Sequence, residues 1–400
     1  MNDKSVRQTE KLVLIATIVI FVLLFFLRTS SNPFLFSSPA RAKTARLVKA
    51  IEVGPPPSYQ EGQLPEQEKE SPLVAVTALP DEATRPLWET AELLELPAGT
   101  ELYSMGQASR RNFRVRVQVS NKGKASSSNI RIDVPLLGNL DSPYQVLLKE
   151  SFSHKPLAIN ELSQGSRTAS FSIPYLAPGE TETIVVDYSL NVFPLTANLS
   201  GLPETYRYGG QGYVDPVFLM PADKIESNHP EIVAMAREIA SGLTSDLEKA
   251  RAFFSFVISY LQYDLNSPNR NQGALSALRG RSGVCEDFAS LFVALCRAEG
   301  IPARLVNGYA DPRGRGDMWN VAPGETLSLK GYRHSWAEFY TPRTGWIPVD
   351  PTLNIYDRNL TYFASLPRAS HLAQNYQDQN MRVRYQGGQL TVAWGEELTG

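Results

Sequence analysis

Residues Gly283-Val284-Cys285-Glu286-Asp287 open an apolar helical stretch, Phe288-Ala-Ser-Leu-Phe-Val-Ala-Leu-Cys-Arg297, which stops at Gly300 with Pro302 just beyond. Glycine past the last periodic residue, followed by proline, is a strong helix stop. A helix this apolar has to be buried, and it begins on a thiol. The first turn of a helix holds N–H groups without intrahelical acceptors and the positive end of the dipole, so it favours an anion. Such placement lowers a thiol's pKa, and the thiolate is the reactive form.

A strand pair follows. Arg333-His334-Ser-Trp-Ala-Glu-Phe-Tyr340 leads into the turn Thr341-Pro-Arg-Thr-Gly345, then Trp346-Ile-Pro-Val-Asp350-Pro-Thr352. With the turn centred near Pro342–Arg343, His334 lies opposite roughly Asp350, and cross-strand neighbours sit about 5 Å apart at Cβ. An aspartate there can fix the imidazole tautomer and leave the other nitrogen facing Cys285. Histidine suits the base because its pKa is close to working pH. Singly, Cys285 reads as a core cysteine, His334 as a satisfied strand histidine and Asp350 as a turn acid. Their joint order is that of a catalytic triad. The other histidines, His154, His229 and His371, are expected to be surface or structural. Glu286 and Asp287 oppose a thiolate but favour the helix start, and their orientation decides which effect wins.

The backbone N–H of Cys285 is a candidate oxyanion donor; its side-chain partner is unassigned, with Gln272 the one weak candidate. Tyr309, Trp336 and Trp346 suit the walls of a cleft or plain core packing. The chain has only two cysteines, Cys285 and Cys296. On one helix they lie roughly 16 Å apart at 1.5 Å per residue, too far for a disulfide, and Cys296 reads as core. No closely spaced Cys/His set points to zinc, and Gly314-Arg-Gly316 lacks the strand and Lys-Ser/Thr of a phosphate loop. No metal and no cofactor is expected.

Net charge is −2 over 400 residues, but residues 1–50 carry eight Lys/Arg against two acids, which leaves 31 against 39 elsewhere. That basic excess flanks the uncharged run Leu12–Leu27, which points to anionic lipid and not to nucleic acid. The run is somewhat short of the roughly 20 residues that span a bilayer, and flanking residues can complete it. A membrane anchor with the N-terminus inside is the expectation, and a cleaved signal peptide the alternative. Residues 50–72, opening near Pro55-Pro-Pro57, read as a disordered linker. From 73 to 200 short strands follow one another: Phe113-Arg-Val-Arg-Val-Gln-Val119 alternates with period two, and Thr183–Leu190 is a later example. They predict a β-sandwich serving as spacer or substrate-side wall, with a short helix near Thr84–Leu96. Residues 201–358 hold the cysteine helix and the strand pair, with helices over Pro230–Leu243 and from the capping box Ser245–Glu248 to Tyr260. Asn266–Gly283 reads as a polar loop. Asp311–Gly331 reads as a long loop suited to a lid. Residues 359–400 add a helix-like piece and a β-hairpin across Gly387-Gly388.

Four ordered blocks, Gly283–Ala289, Arg297–Arg304, His334–Glu338 and Gly345–Thr352, resemble the core of the transglutaminase-like superfamily. The resemblance implies an α+β, papain-like core in which the cysteine helix packs on an antiparallel sheet. It implies Cys285 as nucleophile, His334 as base and Asp350 as orienting acid. The preceding strands resemble the immunoglobulin-like β-sandwiches of bacterial membrane-anchored members. The expected function is therefore a single-pass, extracytoplasmic cell-envelope enzyme, a cysteine acyltransferase or cysteine protease. It would form an acyl-enzyme from a protein, peptide or cell-wall amide and pass it to an amine or to water. The alternative is a catalytically silent binding or scaffold protein on the same fold.

Overall fold

The computed structural model describes residues 102–138, 142–161, 165–199, 214–311, 319–355, 359–376 and 383–400. The expected membrane span, linker and early helix lie outside them. Among the described residues no helix is long and apolar enough to cross a membrane.

The chain enters through β1 (Tyr103–Met105) and continues with β2 (Ser109–Ser120), β3 (Ser127–Leu136), β4 (Gln145–Phe152), β5 (Ala158–Glu161), β6 (Arg167–Leu176), β7 (Thr181–Val192) and β8 (Leu195–Ala197). Alternation does the folding work in β2. Phe113, Val115 and Val117 all point inward and pair with Tyr188, Val186 and Ile184 of β7. In the facing sheet, Ile132 and Val134 of β3 pair with Phe171 and Ala169 of β6. The two sets merge into one apolar core between the sheets. Burying each such side chain contributes about 1.5–3 kcal/mol.

Helices then dominate: α1 (Pro230–Ala240), α2 (Asp246–Tyr260), α3 (Ala274–Gly280) and α4 (Cys285–Ala298), with the two-residue strands β9 (Gln262–Tyr263) and β10 (Ser282–Gly283) between them. The capping box of α2 forms as its sequence predicts, Ser245 and Glu248 each capping the other's backbone N–H. Helix α3 falls inside the segment expected to be loop. It is only seven residues long and starts after Gly273, whose φ of 91° few other residues adopt.

The remaining strands are β11 (Ala303–Ala310), β12 (Thr326–Ser328), β13 (Arg333–Thr341), β14 (Gly345–Val349), β15 (Ser365–Leu366), β16 (His371–Tyr376), β17 (Arg384–Gln386) and β18 (Thr391–Thr399). Three sheets carry the architecture, with orders β14-β13-β11-β16, β12-β18-β2-β7-β4 and β17-β3-β6-β5. Helix α4 lies on the first of these. Phe292 sets its ring edge-on to Phe339 of β13 at 6.3 Å and to Phe254 of α2 at 6.4 Å.

Two expectations need correction here. The hairpin across Gly387-Gly388 does not form: β17 pairs with β3 and β18 with β2, in different sheets. Both glycines have positive φ, and a Cβ on Gly387 would stand 3.1 Å from the backbone of Asn129 and Ile130. The turn therefore lies against the start of β3 and carries the chain from one sheet to the other. In place of the helix-like piece, the described residues between 359 and 376 hold β15 and β16, and β16 is an edge strand of the α4 sheet. The expected loop Asp311–Gly331 is also partly tied down, since β12 pairs with β18 and Trp319 and Leu329 enter the two-sheet core.

The two-sheet body is bound tightly to the α4 sheet. Tyr144 Oη donates to Glu338 Oε1 at 2.7 Å and accepts from Trp336 Nε1 at 3.1 Å. Gly138 N–H donates to Gln374 O at 2.7 Å, and Tyr309 and Leu372 lie in the body's own core. The body is a structural wall of the α4 sheet, not a detached spacer.

Candidate active site

Cys285 is the first residue of α4 and only partly buried. The residue before it, Val284, has no side-chain oxygen to cap the helix. Asp287, at the third helical position, supplies the missing acceptor from inside. Its Oδ2 takes the N–H of Val284 at 2.9 Å and of Asn271 at 2.9 Å, and its Oδ1 those of Gln272 at 3.0 Å and Gly273 at 3.2 Å. A fully buried carboxylate is thus met by four backbone donors, which is how a buried charge becomes tolerable. Any Cβ on Gly283 would lie 2.6 Å from Asp287 Cβ and Oδ2, so that position needs glycine for close approach. Glu286, the other neighbouring acid, pairs with Lys224 Nζ at 2.8 Å. Both acids beside the thiol are therefore committed to other partners. Gln272 contributes its backbone to Asp287 and is itself exposed.

His334 and Trp336 share one face of β13, and their rings stack with centroids 6.1 Å apart at 20°. The register places Ala337 opposite Val349, so Asp350 follows the end of β14 beside Trp336 and diagonal to His334. The pair still meets, because diagonal neighbours remain within reach of long side chains. His334 Nε2 and Asp350 Oδ2 are 2.7 Å apart. Asp350 Oδ1 accepts from Leu353 N–H at 3.0 Å. With Nε2 engaged, Nδ1 is the nitrogen left for Cys285, whose thiol is near enough to favour the protonated form of His334.

Burial pulls the His334 pKa down, but the charge and hydrogen bond of Asp350, helped by Cys285, outweigh it and push the imidazole up to about 10. Asp350 shows the mirror image. Burial raises its carboxyl, and His334 and His371 more than reverse that, holding it well below the usual carboxylate range.

The structure thus brings Cys285, His334 and Asp350 together, and it adds a residue the sequence reading had set aside. His371 is fully buried, with Nε2 3.0 Å from the same Asp350 Oδ2. Neither surface nor remote, it joins the site because β16 pairs with β11 next to β13. The only hint in the sequence was scarcity, four histidines in 400 residues. His154 bonds Glu182 at the surface and His229 caps α1, as expected. Tyr309, Trp336 and Trp346 are buried in packing and do not wall an open cleft. His334, Asp350 and His371 place three ligand-type atoms within 4.8 Å of one another, but both imidazoles spend Nε2 on the carboxylate. A cation there would have to displace both hydrogen bonds.

Residues 233–351 match the sequence model of the transglutaminase-like superfamily. A protein-glutamine gamma-glutamyltransferase of Pseudomonas aeruginosa is 39% identical over 75 residues, 19% of this chain and 10% of that protein. An uncharacterised protein of Mycobacterium bovis is 31% identical over 139 residues, 32% of this chain and 41% of that one. The chain therefore spans between a tenth and two-fifths of the length of these curated relatives. Among solved structures, a candidate cysteine protease from Cytophaga hutchinsonii superposes with a TM-score of 0.47 at 20% identity, over 74% of this chain and 99% of that one. Residues 233–351, which carry Cys285, His334 and Asp350, are thus the part of the chain that is similar to the core of the transglutaminase-like superfamily.

Proposed function

We propose that the chain is a thiol acyltransferase or amidase in which Cys285 is the nucleophile, His334 the proton carrier and Asp350 the orienting acid. One observation carries this reading: a part-exposed cysteine on the first turn of α4 within reach of an imidazole whose Nε2 meets a buried carboxylate at 2.7 Å. The thiolate adds to an amide carbonyl, and the oxyanion develops beside the first N–H groups of α4. His334 gives its proton to the leaving nitrogen as the C–N bond breaks, leaving a thioester on Cys285. An amine or water then attacks the thioester and loses its proton to His334, and Cys285 departs as thiolate. The name of the Pseudomonas relative favours a glutamine side chain as acyl donor and an amine as acceptor. In this reading the apolar run Leu12–Leu27 anchors the protein, and the immunoglobulin-like body holds the site outside the membrane, on protein, peptide or cell-wall amides.

The test is alkylation of the full-length protein with iodoacetamide across pH, with Cys285→Ala as blank and His334→Ala alongside. Labelling that persists at low pH and collapses in His334→Ala supports the reading. Labelling that rises only near the free-thiol pKa of about 8.5, with or without His334, refutes it and leaves a binding protein. Incorporation of a fluorescent amine into a glutamine peptide then separates transfer from hydrolysis.

A further inference from the structure

We infer that His371 is a positioning residue of this thiol site, a neutral hydrogen-bond donor that fixes the Asp350 carboxylate for His334. The inference rests on the reading of Cys285 as nucleophile and extends it to a residue outside the 233–351 family core.

Two imidazoles meet one carboxylate oxygen, His334 at 2.7 Å and His371 at 3.0 Å. They are not equivalent. His334 also interacts with the Cys285 thiol, which favours its protonated form. Among the described residues, His371 Nδ1 is buried with no hydrogen-bond partner. A second proton on His371 would therefore place an N–H in the interior without an acceptor, a costly arrangement. The ring keeps one proton, and the geometry assigns it to Nε2, where Asp350 accepts it. Burial and the nearby His334 charge lower the His371 pKa, in the same sense.

What surrounds the ring holds it in place. Trp336 packs edge-on at 5.1 Å, His334 at 6.1 Å and Tyr362 at 6.3 Å. The titratable groups facing it are Asp350, His334 and Tyr362. Two residues along β16, the Gln145 side chain of the two-sheet body hydrogen-bonds both the N–H and the C=O of Ala373. Asp350 itself sits past the end of β14, where no ladder pairing holds its side chain. His371 supplies the restraint that the strand does not. Without that donor, Oδ2 keeps only His334, and Leu353 N–H on Oδ1 is left as the one other hydrogen bond described for the carboxylate, which can then pivot about Oδ1 away from the line to the imidazole.

The experiment follows the Cys285 alkylation rate from pH 4 to 10 in the full-length protein, comparing wild type, His334→Ala, His371→Leu, His371→Met and His371→Gln. Gln keeps a donor near the Nε2 position; Leu and Met do not. The expected result is labelling about tenfold slower at pH 5–6 in His371→Leu, the loss expected for one hydrogen bond to a charged group. Rates should converge with wild type above pH 9, and His371→Gln should recover most of the difference. Should the leucine variant not fold, His371→Met is read in its place. Nitrogen-15 NMR of the imidazoles gives a reading that needs no variant: His371 should show a protonated Nε2 and a bare Nδ1 at pH 6. An imidazolium His371 in that spectrum, or a wild-type pH profile in both donor-less variants, overturns the inference. Labelling indifferent to His334→Ala instead removes the thiol site itself, so the two failures are told apart.

Discussion

Gln145 acts as a piece of β-strand for Ala373. Its Nε2 donates to Ala373 O at 2.9 Å, and its Oε1 accepts the N–H of Ala373 at 2.9 Å. One side-chain amide from the two-sheet body thus fills both backbone groups on the outer edge of β16, the strand that carries His371. An unsatisfied buried backbone group costs about 1–3 kcal/mol. Gln145→Ala should lower the unfolding free energy by about 2–4 kcal/mol, since it strands two such groups. Urea unfolding should show this as a lower midpoint with unchanged slope.

The carboxylate of Asp287 is the hub of the surroundings of Cys285, joining the start of α4 to residues 271–273. Asp287→Asn keeps the size but replaces one acceptor oxygen by an NH2 that faces backbone N–H groups. A loss of about 2–4 kcal/mol is expected. Gly283→Ala should destabilise by driving its methyl into the same carboxylate, 2.6 Å away. The two substitutions disturb one contact, so their effects should combine to less than their sum in a double-mutant cycle; strict additivity would refute the shared cause.

Stability should peak in mildly acidic solution for the part contributed by the His334–Asp350 pair. His334 binds its proton more tightly folded than unfolded, from 6.5 up to about 10. Its contribution is complete below about pH 6.5 and fades as pH rises toward 10. Asp350 is shifted the other way, so its contribution is present above about pH 4, the unfolded value, and is lost below it. A melting temperature followed from pH 3 to 10 should fall at both ends. Asp350→Asn should flatten both limbs.

Arg304 lies between two rings, 3.9 Å from the Trp346 centroid and 3.6 Å from that of Tyr376, with Nε 2.6 Å from Glu338 Oε2. Glu338 is fully buried and is also the acceptor for Tyr144. Arg304→Met should cost about 3–5 kcal/mol by leaving that carboxylate without its cation. Adding Glu338→Leu should recover a large part of the loss, as chemical unfolding of the single and double variants would show.

Some of this was legible in the chain itself. The period-two run Phe113–Val119 announces a strand and names its inward face, and Cys285 with the His334–Asp350 strand pair announces the candidate site. The diagonal offset of Asp350 was not legible, because the turn at Thr341–Gly345 fixes register by its backbone shape and not by its composition. Helix α3 was hidden by its length, too short for a periodic signal. His371 was hidden for a different reason. All six residues of β16, His-Leu-Ala-Gln-Asn-Tyr, are buried, so the strand has no solvent face and its polar residues carry no alternation. Their partners, Gln145 and Asp350, come from distant parts of the chain. Likewise, Gly387-Gly388 reads as a hairpin turn until β3 and β2 are present to claim its two flanks.

The pairing of β18 with β2 has a consequence for timing. Residues 109–120 leave the ribosome early, yet their partner strand is residues 391–399, and His371 is also made late. Until residues 371–399 have been translated, one side of β2 has no strand to pair with, and Asp350 lacks the His371 donor. Synthesis order therefore withholds from Cys285, His334 and Asp350 the support that residue 371 gives them until that residue has been made. Products truncated before residue 391 should expose the β2 edge that β18 otherwise covers, an aggregation-prone surface.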